Sequence, residues 1–151
     1  MLETDSIEVL SMRQDIIYAI GMRQWKKAKN ILEQLKTKIG AEDYKEPQIQ
    51  QEIQFIEAMY ELEANRITAC EAEKEYYEAL SYTFELSWLS LEELPFIRSE
   101  EGIIISNIAD IYHDMGNLKK SEELFEKLMS DFKQIKKSEL DRNYRSEKAL
   151  V

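Results

Sequence analysis

Two stretches of this chain carry the same apolar spacing, and this repetition constrains the fold more than any other feature. The second copy lies 93 residues after the first, and both copies fit one face of an α-helix: Trp25, Ala28, Ile31, Leu32, Leu35 and Ile39, then Leu118, Ser121, Leu124, Phe125, Leu128 and Phe132. A second helical stripe precedes each copy across a tight connection: Met12, Ile16, Ala19 and Met22, then Ile105, Ala109, Tyr112 and Met115. The chain therefore repeats a helical hairpin. Because one hairpin cannot cover its own apolar face, we expect the hairpins to stack into a solenoid that holds a ligand on its concave side.

Composition agrees with a single, nearly all-helical domain over residues 1–151. The chain has only four Gly and two Pro, whereas a sheet protein of this length needs more turn residues and β-branched runs. Its one cysteine, Cys70, rules out an internal disulfide framework and suits a reducing compartment. No apolar run reaches the ~18 residues of a membrane span, and the acidic N-terminal region lacks the basic start of a signal peptide. We therefore expect a soluble, cytoplasmic protein with no membrane contact.

The net charge of −10 is concentrated in the middle of the chain, because residues 40–101 carry 16 Asp/Glu against four Lys/Arg. A surface that binds nucleic acid directly is normally basic, so direct nucleic-acid contact by this chain is not expected. The acidic excess fits a solvated surface that confers solubility, or alternatively an acidic docking face for a basic partner.

Periodicity predicts seven helices. They cover residues 7–21, 24–39, 47–65, 68–88, 100–115, 118–136 and 138–151. Gly40 is predicted to end the second helix in the left-handed conformation, and Ser99 to cap the fifth. Thr68 and Glu71 have the spacing of a capping box, and Gly116 begins the turn between the fifth and sixth helices.

The helical hairpin around residues 107–128 resembles a tetratricopeptide repeat. Small, aromatic, turn and bulky residues stand at the positions that this family prefers: Ala109, Tyr112, Gly116, Asn117, Leu118, Ser121 and Phe125. The first copy matches through Trp25, Ala28 and Leu32, with Ile16 at the small position. The middle copy matches through Ala58, Ala72, Tyr76 and Ala79, with two extra residues in its turn. The resemblance implies a right-handed solenoid of three hairpins and a partial fourth, cut within a further repeat at Val151.

The order and lengths of the elements are also similar to the C-terminal sensor region of bacterial regulators that carry an Xre-like helix-turn-helix before tetratricopeptide hairpins. This class contains the peptide-pheromone receptors. The resemblance covers about residues 8–151 and rests on packing positions. It implies a domain that binds a peptide or a protein, and a homodimer.

The sequence contains no residue pattern that indicates an enzyme active site. His113 is the only histidine, and neither it nor Cys70 has a partner at the spacing of a nucleophile–base pair or a metal site. No glycine-rich phosphate loop occurs. We therefore expect no enzyme, no cofactor and no metal.

In the tetratricopeptide family the first helix of each repeat lines the concave groove. The resemblance implies a ligand-binding set drawn from all three copies: Asn107, Asp110, His113, Asp114, Phe55, Met59 and Gln14. Arg13 and Glu52 are also expected on this face. Asn107 stands two residues before Ala109, where family members often use an amide to grip a peptide main chain. The alternative is that Asn107 is a surface residue or a local cap.

The sequence thus predicts the sensor and dimerisation part of a bacterial transcriptional regulator. Two other hypotheses stay open at this point. One is a generic tetratricopeptide scaffold without regulatory output, and the other is a helical subunit of an enzyme whose acidic middle docks a basic partner.

Overall fold

The computed structural model describes residues 3–40 and 43–131, and in this part of the chain the fold is all-α, as predicted. It contains α1 (Glu3–Gly21), α2 (Trp25–Lys38), α3 (Pro47–Glu63), α4 (Ala69–Ser81), α5 (Ser99–Asp114) and α6, described over 118–131. Two short 3-10 turns, Asp43–Lys45 and Leu86–Ser90, lie in the connections. The predicted seventh helix and the end of the sixth lie outside the described residues.

The first helix of each hairpin ends in the same way. The second residue after the helix has a positive φ in all three hairpins: 58° at Arg23, 59° at Asn65 and 81° at Gly116. Its N–H bonds the carbonyl three residues back at 3.0 Å, and the next N–H reaches the carbonyl five residues back at 2.8 Å: Gln24 to Ala19, Arg66 to Glu61 and Asn117 to Tyr112. This is the Schellman motif. The three hairpins are therefore copies of one backbone unit.

Small side chains occupy the same buried position in the second helix of each hairpin. Ala28, Ala72 and Ser121 are all buried, and each donates its N–H to the carbonyl four residues earlier, at 2.9, 2.9 and 3.2 Å. On the first helix, Ile16, Ala58 and Ala109 each lie seven residues before the positive-φ residue and are also buried. The three described hairpins therefore align at these two buried positions. The middle turn, residues 64–68, is two residues longer than 22–24 and 115–117.

One of the three helix-terminus predictions is confirmed and two are wrong. The Thr68 hydroxyl accepts from the Glu71 N–H at 3.1 Å, and the Glu71 carboxylate accepts from the Thr68 N–H at 3.2 Å, so the capping box forms. Ser99 is instead the first residue of α5, because Glu101 satisfies the backbone N–H of Arg98 at 2.9 Å and makes Arg98 the cap. Gly40 is not left-handed, since the chain already leaves α2 at Ile39 in extended conformation.

The fourth helix ends at Ser81, seven residues earlier than the predicted Trp88. Here the α-helical pattern gives way to hydrogen bonds to the carbonyl three residues back, since Tyr82 donates to Ala79 at 3.3 Å and Thr83 to Leu80 at 3.2 Å. The next residue, Phe84, is buried. Apolar residues beyond this point therefore belong to a separate 3-10 turn, Leu86–Ser90, rather than to a continuous helical face.

The chain forms two compact units, Met1–Phe84 and Glu85–Val151. In the first unit, α3 packs against both helices of the first hairpin. The Trp25 and Tyr60 rings meet edge to face with 6.0 Å between centroids, and Lys36 of α2 pairs with Glu57 of α3. The hydrogen bond to Glu57 raises the pKa of Lys36.

The second unit is centred on α5, whose side chains Ile104, Ile105, Ile108 and Ala109 have no exposed surface. Three residues that the sequence places on apolar stripes are nevertheless exposed. Met115 is 48% exposed, because it lies in the turn that begins beyond α5, and Leu118 and Phe125 of α6 are 58% and 37% exposed. Met22 of the first hairpin, at the position equivalent to Met115, is 56% exposed for the same reason.

Candidate ligand-binding surfaces

The structure distributes the seven predicted binding residues over both units. Gln14, Phe55 and Met59 lie in the first unit, on α1 and α3. Asn107, Asp110, His113 and Asp114 lie on α5 of the second unit. A single groove that contains the binding residues of both units stays a prediction.

In the first unit, Phe55 is a core residue. Its side chain has no exposed surface, and its ring lies 5.4 Å from the ring of Tyr76, centroid to centroid. Burial also raises the pKa of Tyr76, because the ionised phenolate is poorly solvated there, and the nearby Glu63 adds to this effect. A surface ligand has no access to Phe55, so we remove it from the binding set. Gln14 is exposed and Met59 is half-buried, which leaves both available.

An ion pair joins two residues that the resemblance places on the groove face. The Arg13 guanidinium of α1 meets the Glu52 carboxylate of α3, and the two side chains are only 11% and 15% exposed. A pair so shielded from water holds the first helices of two consecutive hairpins in register, because separating the charges leaves each one poorly solvated. The pair thus brings α1 and α3 into contact within the first unit.

Sequence analysis missed Gln51, a buried amide on α3. Its side chain is 1% exposed and donates from Nε2 to the Ala79 carbonyl at 3.1 Å and to the Thr83 hydroxyl at 2.6 Å. The Leu80 carbonyl lies 3.4 Å from the same nitrogen. The signal was its spacing, because Gln51 precedes Phe55 and Ala58 by four and seven residues and so shares their inward face.

In the second unit, Asn107, Asp110 and Asp114 share one side of α5, which we call the polar face of α5. Asn107 is half-buried, and its Nδ2 donates to the Ile103 carbonyl of the same helix at 2.8 Å. Because a carbonyl only accepts, this bond fixes the amide orientation and leaves Oδ1 as the acceptor that the side chain can offer to a ligand. Asp110 and Asp114 are exposed, so the polar face of α5 is open to solvent.

His113 lies at the edge of the polar face of α5. Its Nδ1 lies 3.7 Å from the Asp114 carboxylate, but the two side chains are 67% and 77% exposed, and such a pair contributes little. The ring instead lines an open groove of about 640 Å³ along α6, together with Leu118, Ser121, Glu122, Phe125, Glu126, Met129 and Ser130. His113 therefore lies between the polar face of α5 and the groove along α6.

Within residues 3–40 and 43–131, no group of three or more His, Cys, Asp or Glu is placed to hold a metal ion. None of the described helices is long and apolar enough to cross a membrane. Cys70 is exposed near the start of α4.

Comparisons with protein-family models, with curated proteins and with solved structures found no match for this chain.

Proposed function

We propose that this chain is a non-enzymatic repeat domain that binds a peptide or a protein, with its hairpins stacked as a right-handed tetratricopeptide-like solenoid. The observation that carries the proposal is that one helix terminus and one packing position recur in all three hairpins. All three share the same left-handed helix terminus and the same buried small position on the second helix. Hairpins that repeat the same terminus and the same packing position are typical of repeat proteins that present an extended binding surface.

Contacts inside the first unit support the stacking. The helix α3 touches α1 through Arg13 and Glu52, and it touches α2 through the Trp25–Tyr60 ring contact. The first helix of the second hairpin thus packs against both helices of the first hairpin. This is the step that, when repeated, generates a solenoid.

The polar face of α5 is the proposed binding surface. Asn107 offers an oriented side-chain oxygen to a main-chain N–H of the ligand, because its Nδ2 is held by the Ile103 carbonyl. Asp110 and Asp114, three and seven residues further along α5, place negative charge on the same face, which favours a peptide with basic residues or a free amino terminus.

The regulatory part of the proposal follows the resemblance to sensor regions of Xre-like regulators, in the cytoplasm of a bacterium. A bound peptide favours one curvature of the solenoid over another and so changes how a linked DNA-binding domain is held. Large exposed side chains such as Tyr18, 64% exposed, and Phe96, 77% exposed, provide apolar surface for a homodimer.

Native mass spectrometry of the purified chain tests the proposal, because one spectrum reports both oligomeric state and any bound peptide. We expect a dimer that carries additional mass, and we expect collisional activation to release that mass as a peptide that can be sequenced. A chain that carries no peptide and captures none from a bacterial peptide extract contradicts peptide binding. A monomer at micromolar concentration contradicts the dimer.

A further inference from the structure

The helix α6 presents an exposed apolar stripe along the open groove of about 640 Å³. Leu118, Phe125 and Met129 lie on one side of the helix at spacings of seven and four residues, and are 58%, 37% and 54% exposed. We call these three residues the α6 stripe. It extends over about 17 Å of the helix axis, or roughly three turns. Apolar side chains this exposed on one helix face generally mark a contact surface.

The first unit shows which kind of element covers the equivalent face of a hairpin. With the 93-residue offset, the α6 stripe corresponds to Trp25, Leu32 and Lys36 of α2. There the helix α3 lies on this face, since the Trp25 ring meets the Tyr60 ring and Lys36 pairs with Glu57. Leu32 is only 5% exposed. A helix is therefore the shape that this face of a hairpin accepts.

The groove beside the α6 stripe is acidic. Glu122 and Glu126 are exposed and line it, whereas the described residues that line it include no Lys or Arg. Lys127 of the same helix is held elsewhere, because its Nζ donates to the Leu89 carbonyl. Two carboxylates beside an apolar stripe are complementary in charge to a helix whose apolar side is flanked by Lys or Arg.

A buried carboxylate lies near the Met129 end of the α6 stripe. Asp131 is 8% exposed and lines a second groove, of about 360 Å³, which also contains Met129. No hydrogen bond or ion pair joins Asp131 to another residue of the described part, and burial raises the pKa of its carboxyl. Arg98 lines the same groove but already pairs with Glu101 at 3.7 Å. A cationic side chain of a ligand that reaches Asp131 therefore offsets the cost of burying its charge.

We propose that the α6 stripe, together with Glu122, Glu126 and Asp131, is a docking site for an amphipathic helix of another protein, whose apolar side is flanked by Lys or Arg. The apolar side chains of that helix pack on the stripe, and its basic side chains pair with the carboxylates. The site uses no residue of the polar face of α5, so it does not depend on the peptide binding proposed there.

Fluorescence anisotropy with two designed peptides tests the site in the full chain. Both peptides are helices of about 16 residues with Leu at i, i+4, i+7 and i+11, and the flanking positions carry Lys in one and Glu in the other. We expect the parent to bind the Lys peptide about tenfold more tightly than the Glu peptide. Glu122→Lys with Glu126→Lys should invert this preference.

The matched control is Glu78→Lys with Glu93→Lys, which changes the net charge equally at exposed positions outside the groove. It should keep the preference of the parent, and both double variants should keep its urea midpoint. An equal loss in the two double variants means that net charge alone attracts the peptide and overturns the proposal. A Lys peptide that does not bind the parent also overturns it.

Two single variants test the apolar and the buried part of the site. Phe125→Ser should weaken the Lys peptide by about tenfold, whereas Tyr18→Ser, which changes an exposed side chain of the first unit, should not. Asp131→Asn should raise the urea midpoint of the free chain, because an amide costs less to bury than a charge, and should weaken the Lys peptide by about fivefold. Affinities equal to that of the parent for Phe125→Ser and Asp131→Asn overturn the proposal.

Sedimentation velocity distinguishes another protein from a second copy of this chain. If the groove binds a helix of another protein, Glu122→Lys with Glu126→Lys leaves the oligomeric state of the chain unchanged. A parent dimer that dissociates in this double variant, but not in Glu78→Lys with Glu93→Lys, places a second copy in the groove and overturns the proposal.

Discussion

Replacing Gln51 tests whether a buried amide holds the second hairpin together. Gln51 is 1% exposed on α3, and its Nε2 donates to the Ala79 carbonyl near the end of α4 and to the Thr83 hydroxyl beyond it. Gln51→Met keeps the length and most of the volume of the side chain but removes the hydrogen bonds that Nε2 donates. Gln51→Ala removes the bonds and leaves a cavity as well.

The expected loss of stability depends on whether the acceptor groups keep another hydrogen bond after the substitution. The Ala79 carbonyl still accepts from the Tyr82 N–H at 3.3 Å, so it loses one of two partners and is not left unsatisfied. Each lost bond then costs the net value of a protein hydrogen bond, about 0.5–1.5 kcal/mol. We therefore expect Gln51→Met to lower the free energy of unfolding by about 1–3 kcal/mol. Gln51→Ala adds a cavity in a close-packed site and is expected to cost about 2–5 kcal/mol.

Urea unfolding followed by far-ultraviolet circular dichroism measures both variants, with the slope m checked for constancy. The Thr83→Val variant completes a double-mutant cycle, and we expect a coupling of at least about 0.5 kcal/mol between the two positions. The reasoning is refuted if Gln51→Met is as stable as the parent, or if its effect adds to that of Thr83→Val without coupling.

Three further predictions concern the repeated hairpin, each measured as a change in urea midpoint. Arg23→Gly should stabilise by about 1 kcal/mol and Gly116→Ala should destabilise by a similar amount, because both positions have positive φ; changes of the same sign would contradict the shared terminus. Thr68→Ala should cost about 1 kcal/mol through loss of the capping box with Glu71, and an unchanged midpoint would mean that the cap contributes nothing. Ala109→Leu should cost about 1–3 kcal/mol by overpacking a fully buried position, and a neutral result would show that the repeat register is wrong there.

The elements that sequence predicted well are those whose signal is local. Helix type and the repeat register follow from apolar spacing, and the capping box from Thr68 and Glu71, because each depends on residues within two turns of one another. The left-handed terminus is recognisable at Gly116. At Arg23 and Asn65 it is visible only through the repeat, since neither position carries the glycine that usually marks such a turn.

What the sequence did not predict depends on contacts between distant residues. Periodicity continued the fourth helix to Trp88, whereas the chain bends after Ser81, where Gln51 of another helix binds Thr83. Phe55 was assigned to a ligand from its place on the first helix of a repeat. Its contact with Tyr76, 21 residues away in sequence, makes it part of the core instead.

The polar face of α5 shows how much of the candidate site could be predicted from the sequence. Helical spacing placed Asn107, Asp110 and Asp114 together, and the structure keeps them on one exposed face. The hydrogen bond that orients the Asn107 amide is a local interaction with Ile103, four residues back, but the sequence does not show which rotamer forms it.

Calorimetric titration is the most direct test of the central claim that Asn107 grips the main chain of a peptide. The probe is the peptide identified by native mass spectrometry, titrated into the parent chain, into Asn107→Ala and into the matched control Asn30→Ala, an exposed residue of α2 in the first unit. We predict that Asn107→Ala weakens binding by about 1–3 kcal/mol, or roughly 5- to 150-fold in Kd. The Asn30→Ala variant and both melting temperatures should stay within error of the parent. Equal affinities for the parent and Asn107→Ala would contradict the account.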